Sequence, residues 1–265
     1  MENRLWKNLE KLKDAVRGKK ILLFGPPGSG KGNRSRDLEA LGLVHVSSGI
    51  ALRATIKDDP ESELSKNARS CMERGELVPD EIIVPIIMNH LSQEKCQKNG
   101  FILDGFPRTK VQAEALFSKI KIDLALYLDV PRKFLVFGII EGNRRICVEC
   151  ATGYSDFDLP HIEGICDKCG GRLVRRADDQ VETIENRLKL YDEQTKPFLS
   201  YIKTHTTLEI LPITVSDKDK IDKKFLKTLK GQVYWVDTDE GGKARMLNLE
   251  GMRERLYNLL AEKFK

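Results

Sequence analysis

Gly25-Pro26-Pro27-Gly28-Ser29-Gly30-Lys31-Gly32 follows directly on the apolar run Ile21-Leu22-Leu23-Phe24. The pattern reads as a buried strand, a glycine loop and a helix start, which is the context a phosphate-binding loop needs. Glycines let consecutive backbone N–H groups turn inward on one anion, where side chains would block the approach. The helix that follows adds its positive N-terminal end. Lys31 supplies a movable point charge for the outer phosphates. An ordinary Gly-Pro turn ahead of a lysine is the plain alternative, but strand, glycine spacing and lysine agree on the phosphate loop. The general motif places Ser or Thr right after the lysine; here stand Gly32 and then Asn33.

Working outward, the pattern predicts a helix from Lys31 to about Leu41-Gly42 and a second short strand over 43–46. Helical patterns cover 49–58 and 61–74, and a longer one follows Val78-Pro79-Asp80 through Ile82, Ile83, Ile86, Ile87 and Leu91. Further strands are predicted over Phe101–Asp104 and Leu124–Asp129, the latter ended by Pro131. Strands alternating with helices imply parallel βαβ units with helices on both faces of the sheet. The segment 143–176 breaks this rhythm, being rich in Cys and Gly. Helix resumes at Asp178 and runs to about Thr204, a last strand is predicted over 233–236, and a closing helix over 247–264. The lysine-rich stretch 207–230 shows no clear element. Residues 1–18 carry a basic amphipathic pattern, with Leu5, Leu9, Leu12 and Val16 on one face, as an extension packed on the core.

At 265 residues the chain can bury a full core, with 40% apolar and 32% charged residues as in ordinary globular proteins. Its apolar runs fall far short of a membrane span, and Met1-Glu2-Asn3-Arg4 lacks the long apolar core of a secretory signal, so a cytoplasmic location is expected. The net charge of +5 is spread along the chain and suits anionic small molecules. A nucleic-acid partner finds little support, because basic residues interleaved with aromatics are missing.

Four of the six cysteines fall in two pairs, Cys147-Val148-Glu149-Cys150 and Cys166-Asp167-Lys168-Cys169. In a reducing compartment that spacing reads as a four-thiolate structural Zn²⁺ site, and Gly170-Gly171 suits the second tight turn. So short a segment cannot build a self-sufficient apolar core, so 143–176 reads as a small insert stapled by metal. Cys71 and Cys96 stand alone in helical patterns and read as small buried side chains.

Asp104-Gly105-Phe106-Pro107-Arg108-Thr109 sits at the carboxyl end of a strand, where open parallel sheets place ligands. A carboxylate there can hold Mg²⁺ through water, and Arg108 offers a planar fork for phosphate.

Four ordered motifs together resemble the adenylate kinase family: the loop 25–32, the stretch Asp104 to Thr109, Gly75-Glu76-Leu77-Val78-Pro79-Asp80-Glu81, and Arg176-Ala177-Asp178-Asp179-Gln180. The cysteine pairs resemble its long-lid, zinc-bearing bacterial subgroup. The resemblance covers about 19–205 and, more weakly, 232–265. It implies an α/β fold of the P-loop NTPase type, a parallel five-stranded sheet flanked by helices. The core would be 19–46, 79–142 and 177–265, with a nucleoside monophosphate-binding arm over 47–78 and a zinc lid over 143–176. It implies a monomer that, with Mg²⁺, transfers the terminal phosphoryl group of ATP to AMP, giving two ADP.

Carried over by residue, the resemblance implies that Gly28, Ser29, Gly30, Lys31, Gly32 and Asn33 cradle the ATP phosphates and their metal. Ser48, Leu77, Val78, Gly105 and Gln112 would line the AMP pocket, with Arg53 and Arg108 on its phosphate. Arg144, Arg176 and Arg187 would close on the phosphates from the lid and its hinge, and Tyr154 would lie near the ATP base. Lys31, Asp104, Arg108, Arg144, Arg176 and Arg187 would form the catalytic set. Phosphoryl transfer asks for aligned substrates, excluded water and positive charge around the moving group, which this set supplies.

Three positions depart from the family pattern. Asn33 stands for a threonine, Ile50 for the aspartate of the Ser-Gly-Asp motif, and Ile140 for a lid arginine that stacks on the ATP adenine. They imply weaker metal and ATP-base binding. A kinase of other base preference, or a catalytically weakened nucleotide-binding protein, are the alternatives.

Overall fold

The computed structural model describes residues 3–130, 132, 135, 143–150, 152–156, 158–176, 179–212, 214–215, 233–237, 243–247 and 249–264. Its centre is a parallel five-stranded sheet. The strands are β1 (Lys20–Phe24), β2 (Val44–Ser47), β3 (Phe101–Asp104), β4 (Leu124–Asp129) and β8 (Leu208–Pro212), in the spatial order β2-β3-β1-β4-β8. The central strands are apolar on both faces because both faces are covered. Leu22, Leu103 and Ala125 point into one core layer with Phe24, Phe101, Phe106, Ile83, Ile87 and Leu91. Ile21, Ile102, Leu124 and Leu126 point into the other, with Leu38, Met252, Leu256 and Leu260.

Helices fill the crossovers. α1 (Asn3–Val16) precedes β1, and α2 (Lys31–Glu39) follows the glycine loop. α3 (Ser48–Asp58) and α4 (Glu63–Arg74) fall in the stretch expected to be the arm, and α5 (Asp80–Ser92) follows them. α6 (Glu94–Asn99) leads into β3, and α7 (Lys110–Phe117) lies between β3 and β4. The insert over 143–176 carries its own antiparallel sheet of β5 (Arg145–Cys147), β6 (Gly153–Tyr154) and β7 (Leu173–Val174). After it, α-helix Val181–Leu190 runs through a π-helical turn, Tyr191–Thr195, and a short tight turn into helix Leu199–His205. A closing helix spans Leu249–Lys263. None of the described helices is long and apolar enough to cross a membrane.

Four elements differ from the sequence-based expectation. The fifth strand of the main sheet is β8, inside the stretch that shows no clear element, and pairs with β4 from Ala125↔Leu208 to Asp129↔Pro212. The strand predicted over 233–236 is Val233–Asp237, and it belongs to a separate antiparallel sheet with Lys243–Leu247 and Thr214–Val215. The closing helix therefore begins at Leu249 rather than 247, since Leu247 still belongs to a strand. Helix after the insert begins at Val181 rather than Asp178; Ala177 and Asp178, like Ile140, lie outside the described residues. The expected N-terminal extension is a helix, with Leu12 and Val16 buried against Leu256 and Leu260 of the closing helix. Cys96 is fully buried, and Cys71 packs against the same core layer.

Candidate active site

The register of the sheet assembles the site. Leu23 of β1 and Ser47 of β2 both align with Asp104 of β3, so three strands end at one level. The glycine loop leaves β1 there, Ser48 leaves β2 and Gly105 leaves β3. This carboxyl edge is where an open parallel sheet leaves room for a ligand. The Ser48 hydroxyl donates to the Gly105 carbonyl at 2.7 Å and ties two of these strand ends together.

Gly28 and Gly30 hold φ angles of 83° and 82°, a left-handed backbone that turns the loop tightly into α2. The Lys31 ammonium donates to the Gly25 and Pro26 carbonyls at 2.8 and 2.9 Å, which folds the side chain back over the loop. Burial draws its pKa down to about 8; the Asp104 carboxylate resists, while the Arg108 and Arg144 charges add to the fall. Burial alone pushes the Asp104 carboxyl up. His45, with Nε2 3.6 Å away, and the Lys31 and Arg108 charges outweigh that and hold it below its usual range. A half-buried ammonium and a half-buried carboxylate thus face the same space, among several arginines.

That space is a cleft of about 350 Å³ between arm, lid and core. Every proposed nucleotide-binding residue lines it: Gly28, Ser29, Gly30, Lys31, Gly32 and Asn33 from the loop, and Ser48, Arg53, Leu77 and Val78 from the arm. Asp104, Gly105, Arg108 and Gln112 come from β3 and α7, and Arg144, Tyr154, Arg176 and Arg187 from the lid and its hinge. Ile50 lines it too.

Several of these side chains have structural partners that sequence reasoning missed. Gln112 is buried, its Oε1 accepting the Arg108 backbone N–H at 2.7 Å and its Nε2 donating to Asp80 Oδ1 at 2.7 Å. Asp80 also accepts from the Thr109 hydroxyl, and that hydroxyl caps α7 through the Gln112 N–H. Asp80 therefore anchors the loop that carries Arg108. A capping signal, Thr109-Lys110-Val111-Gln112, is legible in the sequence; the long-range tie to Asp80 is not. Thr195, in the π-helical turn, donates to the Arg108 carbonyl at 3.1 Å.

Arg144 makes a two-pronged ion pair with the buried Asp179, whose Oδ2 accepts from Nε at 2.9 Å. This joins the start of the insert to the chain just beyond its end. Tyr154 is buried, with its hydroxyl 3.6 Å from Cys166 Sγ and accepting the Asp167 N–H at 2.8 Å. Those bonds fix the hydroxyl against the cysteine cluster, while the residue also lines the cleft. The Asn33 amide oxygen accepts from Arg36 at 2.7 Å, which commits that oxygen to the side facing the lid.

The four paired cysteines form one cluster, with all four sulfur atoms within 4.8 Å of one another. Cys147 and Cys169 lie 3.4 Å apart, and Cys150 and Cys166 lie 3.5 Å apart. Four thiolates around zinc, with bonds of about 2.3 Å, give sulfur spacings of about 3.8 Å. A Cβ at Gly171 would stand 2.7 Å from Cys147 Sγ, so the turn leaves space only for the sulfur. Burial disfavours the Cys166 thiolate, but the Tyr154 hydroxyl and the Lys168 and Cys169 backbone N–H groups outweigh it and bring its pKa down to about 6. The donor set and the sulfur spacing both fit zinc.

A parallel sheet with a glycine loop, a half-buried lysine and a facing carboxylate defines a nucleotide-binding protein of the P-loop type. The sequence model of adenylate kinase matches residues 23–207. The adenylate kinase of Clostridium tetani is 43% identical over 195 residues, 71% of this chain and 88% of that protein. That of Carboxydothermus hydrogenoformans is 42% identical over 189 residues, 69% of this chain and 86% of that protein. That of Clostridium acetobutylicum is 40% identical over 223 residues, 81% of this chain and the whole of that protein. The chain belongs to the adenylate kinase family.

Proposed function

We propose that the chain catalyses the reversible transfer of the terminal phosphoryl group of ATP to AMP, giving two ADP. The observation that carries this reading is the convergence of loop, Lys31, Asp104 and five arginines (Arg53, Arg108, Arg144, Arg176 and Arg187) on one cleft. A cleft so positive, walled by two inserts, suits two phosphate chains meeting end to end. The loop N–H groups and Lys31 hold the ATP phosphates. Arg53 and Arg108 hold the AMP phosphate, and Ser48, Leu77, Val78, Gly105 and Gln112 shape the pocket for its nucleoside. Gln112 keeps one amide N–H for the base while its other polar atoms fix the Arg108 loop. Arg144, Arg176 and Arg187 surround the moving phosphoryl group, and closure of the lid excludes water that would otherwise take it.

Asp104 is the carboxylate suited to Mg²⁺, since it stays ionised and faces Lys31 across the cleft. Bound with ATP, that ion supplies charge neutralisation to the phosphates. The cysteine cluster holds a structural Zn²⁺, with no open position for chemistry. The reading places the enzyme in the cytoplasm, where thiols stay reduced, and needs no second subunit because one chain supplies every contact.

Purified protein given ATP, AMP and Mg²⁺ is expected to form ADP in a coupled assay. A panel of donor and acceptor bases tests the preference for adenine. Nucleotide affinity without ADP formation would instead mark a binding protein that has lost catalysis. Arg53→Ala and Arg108→Ala are expected to weaken AMP about tenfold or more, with ATP affinity changed far less. Calorimetry with each nucleotide alone reads this. Equal losses for both nucleotides would show the acceptor site to be placed wrongly.

A further inference from the structure

The lid meets the core at a second place, outside the cleft. On α2, Arg36 and Glu39 stand three residues apart and so share one face of the helix. The lid presents the opposite charge to each. Asp158 pairs with Arg36, and Lys168 Nζ reaches Glu39 Oε1 at 3.0 Å. The Arg36 guanidinium also lies 5.4 Å from the centre of the Tyr154 ring and donates to Asn33 at 2.7 Å. Arg36, Asp158 and Glu39 are each less than a third exposed, which keeps solvent from screening the pairs fully.

We propose that Arg36 and Glu39 are the core half of a two-point charge latch, with Asp158 and Lys168 as the lid half, and that this latch holds the lid closed over the donor nucleotide. The inference rests on the reading of the insert as a lid that closes over the cleft. Two reversed pairs side by side select one seating of the lid, because sliding it by one position sets like charges against each other. Lys168 sits between Cys166 and Cys169, so the zinc turn that stiffens the lid also sets the position of one latch charge. Asn33 gains a role here. Its amide oxygen steadies Arg36 from below, so the side chain that replaces the family threonine serves lid closure.

The test uses the full chain with a fluorescence donor at exposed Ile162 in the lid and an acceptor at exposed Lys98 in the core. Energy transfer in free and ATP-analogue-bound protein reads lid closure without any turnover. Arg36→Ala and Asp158→Ala are each expected to shift the population toward open. Each is also expected to raise KM for ATP about three- to tenfold with KM for AMP unchanged. The charge swap, Arg36→Asp with Asp158→Arg, is expected to restore closure and KM, and the Glu39→Lys with Lys168→Glu swap gives an independent second cycle. Unchanged lid populations in the single variants, or swaps no better than their singles, would overturn the latch. Should a variant unfold, the second pair decides. A wild-type protein that makes no ADP yet closes in a latch-dependent way would refute the reaction and leave the latch standing.

Discussion

Replacing Lys31 with alanine is expected to cut ADP formation about a thousandfold while the protein stays folded. Phosphoryl transfer offers the protein little covalent work, so most of the acceleration comes from placed charge. Lys31 is the movable cation within the loop, already partly stripped of water by its position, as its lowered pKa shows. A charge in such surroundings stabilises a developing negative charge far more than one in water does. The fold loses little, because among the described residues the ammonium's hydrogen bonds go to the Gly25 and Pro26 carbonyls, and its removal leaves those acceptors facing the cleft. Steady-state ADP formation and a melting curve on the same preparation check both halves. Near-normal turnover in the variant would remove Lys31 from the reaction.

Removing zinc is expected to lower the melting temperature by about 5–15 °C, and to lower it more than it lowers turnover at moderate temperature. The lid's buried apolar cluster is small: Cys147, Tyr154, Cys166 and Leu173, with Cys150 packed against it. Without metal, four clustered thiols replace the bonds that join the two ends of the insert. Structural zinc contributes about 10 kcal/mol or more of binding energy in small domains, much of it folding energy. A loss of even about 4 kcal/mol shifts a chain of this size by roughly 10 °C. Metal analysis is expected to find about one zinc per chain, lost in Cys147→Ser with Cys166→Ser. A zinc-free protein of equal stability would defeat the structural role.

Much of this site could be read before the fold was known, because its parts are local. The glycine loop, the Asp104–Arg108 stretch and the cysteine pairs each carry their chemistry within a few consecutive residues. The strands that present the first two, β1 and β3, are apolar runs, as double burial demands. Strand β8 escaped the reading because it is an edge strand. Leu208–Pro212 buries only Leu211 fully, Ile210 is 60% exposed, and lysine-rich sequence follows. Its pairing with β4 is a tertiary fact that no local pattern announces. Asp80 and Arg36 escaped for the same reason. Asp80 acts on residues 29 and 32 positions away, and Arg36 on one 122 positions away.

The closing helix gives the molecule a usable polarity. Its last residues return to the amino edge of the sheet: Phe264 lies against Lys19, just before β1, and Lys263 pairs with Glu209 near the start of β8. The cleft opens at the opposite, carboxyl edge. A fusion partner or a surface tether joined beyond Phe264 therefore departs a strand's length from the cleft. The protein can be anchored by that end with the cleft left unobstructed.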